Sequence, residues 1–185
     1  MVFSIEHSRT AYWADFAVYG LTVLGLAVCL PLFGPRQQWT SLAALLVTGA
    51  MGWTLIEYGM HRYVLHGLEP FRTWHARHHE RPRALISAPT VLSAVLIATF
   101  VFLPGLLLAD RWRATALTLG LTAGYLVYSV THHATHHWRA DSIWLKQRKF
   151  WHAKHHHSLR PSCYGVSCSF WDHVFGSTGR DGDSA

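Results

Sequence analysis

Charged side chains almost vanish from the chain in four stretches, and the segments between and after them are crowded with histidine and arginine. The apolar runs are FAVYGLTVLGLAVCLPLF (16–33), WTSLAALLVTGAMGWTLIEYGM (39–60), APTVLSAVLIATFVFLPGLLLA (88–109) and ATALTLGLTAGYLVYSV (114–130). A helix needs about 20 residues to cross the hydrocarbon core of a bilayer. Each run therefore predicts a membrane span, the fourth by continuing into the histidines at its end, to about residue 133. Pro31 and the Gly34-Pro35 pair break the chain after the first run, and Asp110 and Arg111 end the third. The segments 61–87 and 134–176 are then left as a polar cap, and GSTGRDGDSA reads as a disordered tail, taken from residue 177 to 185. Residues 1–176 are expected to form one membrane-embedded domain.

Composition agrees with that picture and narrows it. Only 14% of the residues are charged, against about a quarter in soluble domains. The net charge of +6 could suggest nucleic acid, but the basic residues form no single solvated stripe, so no nucleic-acid partner is expected. Their distribution speaks to topology instead. Arg36, Arg111 and Arg113 lie on one side of the spans, and the other thirteen Lys and Arg lie on the opposite side. The positive-inside rule then puts both termini and the cap in the cytoplasm, in what is expected to be a bacterial inner membrane. Cys29, Cys163 and Cys168 form no CxxC pair and read as reduced thiols. The first apolar run lacks a cleavage site and is followed by further spans, so no cleavable signal peptide is expected.

Histidine changes the reading from a membrane protein to a metalloprotein. Fourteen of the fifteen histidines fall between residues 61 and 173. They gather as HRYVLH (His61, His66), HARHH (His75, His78, His79), HHATHH (His132, His133, His136, His137) and HAKHHH (His152, His155, His156, His157). Residues at i, i+3 and i+4 share one face of a helix, so each HxxHH presents three imidazoles on one stripe. HHATHH offers two i, i+4 pairs. The i+5 spacing of His61 and His66 suits a helix about to turn. About ten converging imidazoles exceed the needs of one ion, and two metals is the natural count.

Imidazole suits Zn, Cu, Fe and Ni. A structural zinc site usually recruits cysteine, whereas attack on an unactivated C–H bond needs a redox metal. Two iron ions with dioxygen as co-substrate are expected, with zinc able to take their place in isolated protein. Glu57, near the cytosolic end of the second span and one turn before His61, is an ionisable residue at a costly depth and is expected to orient His61. Asp172 in FWDHVFG is expected to orient a ligand imidazole in the same way. His7 and His173 read as ordinary non-ligand histidines.

These motifs resemble the fatty acid hydroxylase and sterol desaturase superfamily of integral-membrane di-iron enzymes, from about Glu57 to Gly176. HRYVLH resembles the first HxxxxH box and HARHH the first HxxHH box. YLVYSVTHHATHH resembles the end of the last membrane helix, and HAKHHHSLRPSCYGVSCSFWDHVFG the second HxxHH box with the closing segment. The resemblance implies an all-α integral membrane fold, four transmembrane helices with a cytosolic helical cap holding a dinuclear His-rich site. It implies as ligands His61, His66, His75, His78, His79, His132, His136, His152, His155 and His156. The pair from HHATHH stays open between His132/His136, His133/His137 and His132/His137, and His157 is an alternative to its neighbours.

The implied activity is hydroxylation of a C–H bond of a lipid, a fatty acyl chain or related lipid, with dioxygen and external electrons. The donor would be a ferredoxin or cytochrome, since no haem or iron–sulfur motif is fused to the chain. A carotenoid hydroxylase or a lipid desaturase could use the same site. A His-rich metal transporter would place histidines midway through several spans, which this chain does not. A bis-His haem protein would need only two of them. The sequence names neither the lipid nor the oligomeric state.

Overall fold

The computed structural model describes residues 6–158 and 160–179. Among them there is no strand, and Glu6 and Ile86 form an isolated antiparallel bridge. The helices are α1 (Arg9–Phe33), α2 (Trp39–Gly59), α3 (Phe71–Glu80), α4 (Thr90–Ile97), α5 (Leu103–Leu108), α6 (Arg111–His137), α7 (Ile143–His157) and α8 (Phe170–Val174). A 3-10 turn, Arg36–Gln38, precedes α2. Two π-helical segments interrupt the set: Met60–Leu65 continues α2, and Ala98–Phe102 joins α4 to α5.

Four helical stretches are long and apolar enough to cross a membrane: Arg9–Phe33, Arg36–Leu65, Thr90–Leu108 and Arg111–His137. Their outer surfaces are those of an integral membrane protein, with Val91 75%, Phe100 72% and Leu108 87% exposed. So many apolar side chains need lipid around them. Three stretches exceed the expected apolar runs because their ends are polar but still helical. Ser8 Oγ accepts from Ala11 N and starts α1 at Arg9. Asp110 Oδ1 accepts from the backbone of Trp112 and Arg113 at the head of α6. The second π segment lies just before Pro104, which has no N–H to give to a helical ladder.

Contacts gather the chain into two compact units, residues 1–53 with 85–126 and residues 54–84 with 127–185. The second unit includes the last turns of α2 and α6, which hydropathy assigned to the spans. In the first unit Leu30, Leu42, Ala116 and Leu119 form a buried core, with Leu46 and Trp112 packed against it. There α2 and α6 touch backbone to backbone. A Cβ on Gly49 would come within 2.3 Å of Leu117 O, and one on Gly120 within 1.9 Å of Leu46 O. Small residues at such crossings let membrane helices pack closely. Tyr19 lies edge-on to Tyr125 and its hydroxyl meets Ser93 Oγ at 2.7 Å.

In the second unit, ordered structure continues past the expected start of the tail. Ser177 donates to Asp172 Oδ1 at 2.8 Å, meets Tyr58 Oη at 2.9 Å and accepts from Cys163 N at 2.7 Å. These bonds tie down a residue that low local hydrophobicity alone marks as free. Residues 180–185 of the expected tail lie outside the described residues.

Candidate metal centre

The π-helical segment decides the first motif. In an α-helix, residues five apart point about 140° away from each other. Here His66 N donates to His61 O at 3.2 Å, the i to i+5 bond of a π turn. That bond brings the two rings to the same side, with centroids 5.3 Å apart. The wider turn is what makes HxxxxH a converging pair.

Nine imidazoles then form two groups in the second unit. His61, His66, His75, His79 and His155 make one, and His78, His136, His152 and His156 the other. Within each group the ring nitrogens lie within 4.8 Å of one another. His132 joins the second group at its edge, its Nε2 3.1 Å from His78 Nε2 and its ring 4.9 Å from that of His152. The groups are neighbours, since His79 and His156 stack at 4.2 Å.

Each HxxHH box is divided between the groups. On α3, His75 and His79 enter the first and His78 the second; on α7, His152 and His156 enter the second and His155 the first. Helical geometry accounts for this, because i and i+4 diverge by about 40° whereas i+3 lies about 60° to the other side.

The donor set fits metal ions. His61 Nδ1 lies 2.6 Å from Tyr164 O and His155 Nδ1 2.7 Å from Ser162 O. A carbonyl only accepts, so both Nδ1 atoms carry the proton and each Nε2 has a bare lone pair. His155 Nε2 nevertheless sits 3.1 Å from His66 Nε2 and 3.0 Å from His79 Nε2. His75 Nε2 is likewise 3.0 Å from both His61 Nε2 and His79 Nε2. Ring protons cannot satisfy all four contacts, since one lone pair would receive two N–H groups. A shared cation satisfies them together. Nitrogens bound at about 2.1 Å around one ion lie about 3 Å apart when adjacent at a right angle. The second group repeats the spacing, with His152 Nε2 2.7 Å from His136 Nε2 and 3.1 Å from His156 Nε2.

Electrostatics points the same way. Burial is the largest cause lowering the pKa values of His66, His75, His78, His79, His152, His155 and His156, and for all but His66 neighbouring imidazoles add to it. His79 is pushed down to about 4, His78 to about 3 and His156 to about 2. Neutral imidazole is the ligand form.

A pH prediction follows for metal-free protein. The unfolded chain binds these protons near pH 6.5 while the folded chain refuses them, so stability is full above that value and falls as pH drops through it towards the folded values. Each such group costs up to about 1.4 kcal/mol per pH unit below 6.5. The melting temperature of the apo protein in detergent should therefore drop between pH 8 and pH 5.5. Equal melting temperatures would contradict the clustering.

The remaining predicted residues fall elsewhere. His133 and His137 stack on each other at 4.4 Å, outside both groups, as is exposed His157. His7 Nε2 contacts Ser87 O and His173 Nδ1 contacts Ser169 O. Glu57 and Asp172, expected to orient imidazoles directly, have no histidine among their hydrogen-bond partners. Glu57 Oε1 accepts from Val166 N at 2.7 Å and Ser167 N at 2.8 Å, and Oε2 accepts from the Ser167 hydroxyl. Asp172 accepts from Tyr164 N at 2.7 Å, Gly165 N at 2.8 Å and the Ser177 hydroxyl. Burial raises the Asp172 pKa, and these hydrogen bonds oppose the rise.

The direct orienters are instead two backbone carbonyls, Ser162 O and Tyr164 O. Cys163, at φ 57°, turns the chain between them. No side-chain motif announces a carbonyl; the small residues of PSCYGVSCS were the only signal.

A cleft of about 110 Å³ reaches the second group, lined by Pro82, Thr135, Lys149 and His157 together with His136, His152 and His156.

A model of the fatty acid hydroxylase family matches residues 46–177. The chain is 29% identical over 184 residues to dihydroceramide fatty acyl 2-hydroxylase FAH2 of Arabidopsis thaliana, covering 92% of this chain and 74% of that protein. It is 32% identical over 186 residues to the ceramide very long chain fatty acid hydroxylase SCS7 of Saccharomyces cerevisiae, covering 92% of this chain but 46% of the yeast protein. Against human fatty acid 2-hydroxylase the identity is 29% over 153 residues, 76% of this chain and 40% of the relative. A solved structure of full-length scs7p, with only its hydroxylase domain visible, superposes with a TM-score of 0.77 at 26% identity, over 95% of this chain and 69% of that one.

Proposed function

This chain belongs to the fatty acid hydroxylase family, and on that premise we propose that it hydroxylates a long fatty acyl chain of a membrane lipid at carbon 2, next to the acyl carbonyl. Two iron ions, dioxygen and electrons from a separate redox protein complete the reaction. The observation that carries the reading is the division of the histidines into two adjacent groups of converging ring nitrogens. The 2-hydroxylase and ceramide activities named for the relatives support carbon 2 and a ceramide-like carrier, and favour hydroxylation over desaturation.

His61, His66, His75, His79 and His155 would hold one ion, and His78, His136, His152 and His156 the other, with His132 beside them. When bound, the iron pair supplies the redox capacity for dioxygen activation and C–H cleavage, which zinc lacks. The chain's own residues bind, orient and exclude water. Buried His61, His78, His152 and His155 keep the donors dry, and the Ser162 and Tyr164 carbonyls hold two rings in the ligand tautomer. Four apolar spans place the protein in the same phase as an acyl chain.

The Lys and Arg distribution supports a cytosolic orientation for the histidine groups. The cleft carries Lys149 and His157 beside ligands of the second group. The positive charge of Lys149 suits an acidic ferredoxin or cytochrome as donor.

The test is mass spectrometry of lipids from a bacterial host expressing the chain, supplied with iron, ceramide and a redox partner, beside a ligand-deficient variant. Acyl species with one added oxygen, at carbon 2 by fragmentation, are expected only with the intact chain. Loss of two hydrogens would make the protein a desaturase, and lipids identical to the control would overturn the proposal.

A further inference from the structure

The two histidine groups are supported unequally. In the first, the protons on His61 and His155 Nδ1 go to carbonyls of one loop, at Tyr164 and Ser162. In the second, Nδ1 of His78, His152 and His156 is buried with no hydrogen-bond partner among the described residues. The loop itself is held by two buried carboxylates, Glu57 at 3% exposure and Asp172 at 1%. Asp172 takes the N–H groups of Tyr164 and Gly165, and Glu57 those of Val166 and Ser167. Four consecutive backbone donors are thus fixed, immediately beside the two carbonyls that aim the imidazoles.

The packing leaves this loop no slack. A Cβ at Gly165 would meet Cys168 O at 2.0 Å and Asp172 Oδ2 at 2.8 Å. Buried Arg148 contacts Ser169 Oγ, just beyond the loop, at 3.5 Å.

We propose that Glu57 and Asp172 are positioning residues for the first metal group alone, acting through loop 162–167 on the orientation of His61 and His155. They set the affinity of one ion and leave the other untouched. A carboxylate is required because both of its oxygens accept. Asp172 uses Oδ1 for Tyr164 N and the Ser177 hydroxyl and Oδ2 for Gly165 N. An asparagine can keep only one of these sets. Glu57 puts both backbone donors on Oε1, so a glutamine retains more, and its effect should be smaller.

The inference rests on the reading of the groups as metal sites, and the experiment separates the two. The full chain in detergent is loaded with Zn(II), and its metal content is followed by elemental analysis during titration with a chelator. The intact protein should hold two ions; fewer would sink the metal reading itself. In Asp172→Asn one ion should be released at about 10-fold lower chelator strength, the low end of the range for direct outer partners of ligands, while the second is unchanged. On a His136→Ala background Asp172→Asn should weaken the ion that remains, and on a His75→Ala background it should not. Ser177→Ala, which removes one bond from Asp172, gives a milder version should Asp172→Asn not fold. Two ions released as in the intact protein, or both weakened equally, would overturn the proposal.

Discussion

His155→Ala is expected to abolish hydroxylation and to leave the protein with fewer than two ions. His155 is the ring of its group that both approaches two others, at 3.1 Å from His66 Nε2 and 3.0 Å from His79 Nε2, and is pinned at Nδ1 by a backbone carbonyl. Removing it deletes a donor and opens a void in the middle of the group. Losing an outer partner of a ligand typically costs 10- to 100-fold in metal affinity or activity, so losing the ligand should cost at least about 100-fold. The measurements are metal content of the purified protein and turnover into hydroxylated acyl chains. His137→Ala is the comparison, since that exposed ring stacks on His133 outside both groups. It should keep both ions and its turnover. Retention of two ions and activity by His155→Ala would refute the assignment, as would equal losses in His137→Ala.

Gly120→Val should have the largest effect on folding. The new Cβ would stand 1.9 Å from Leu46 O, 2.8 Å from Leu46 C and 3.0 Å from Ala50 N. These are backbone atoms, so no rotamer relieves the clash and α2 and α6 must separate. Overpacking of flexible side chains costs about 1–3 kcal/mol. A rigid backbone clash should exceed about 3 kcal/mol, a large part of the 5–15 kcal/mol that stabilises a typical protein. The intact chain should elute as one sharp species from size exclusion in detergent, and Gly120→Val should aggregate or fail to accumulate. Gly25→Val is the control, because a Cβ there has nothing within 4 Å. Similar behaviour of the two variants would show that α2 and α6 do not depend on this contact.

Hydropathy was enough to find four spans because membrane-crossing helices need a run of apolar side chains whatever they pack against. It missed their polar ends. The second and fourth helical stretches run on to Leu65 and His137, since backbone bonds and buried imidazoles, not apolar side chains, hold those turns. The histidine motifs were equally legible, because imidazoles at i, i+3 and i+4 share one side of a helix and repeat in the sequence as HxxHH. The alternatives within HHATHH were not. His132 and His136 face the second group while His133 and His137 turn away from it. That choice depends on the rotation of α6 about its axis, which packing sets.

The sequence by itself determined an all-α membrane protein with ten or so metal-ligand candidates, through composition and spacing, which are local properties. The tertiary structure alone decided how those candidates divide between two groups. A stripe of three histidines is one face to the helix that carries it, but with a group on either side, i and i+4 go to one and i+3 to the other. It also placed the two buried carboxylates against one loop. Glu57 and the loop it holds are 109 residues apart in the Val166 bond, and Asp172 accepts from the amides of Tyr164 and Gly165 in that same loop. Backbone amides and carbonyls occur at nearly every residue, so no sequence pattern marks the few that matter; only folding brings a particular carbonyl up to a particular ring.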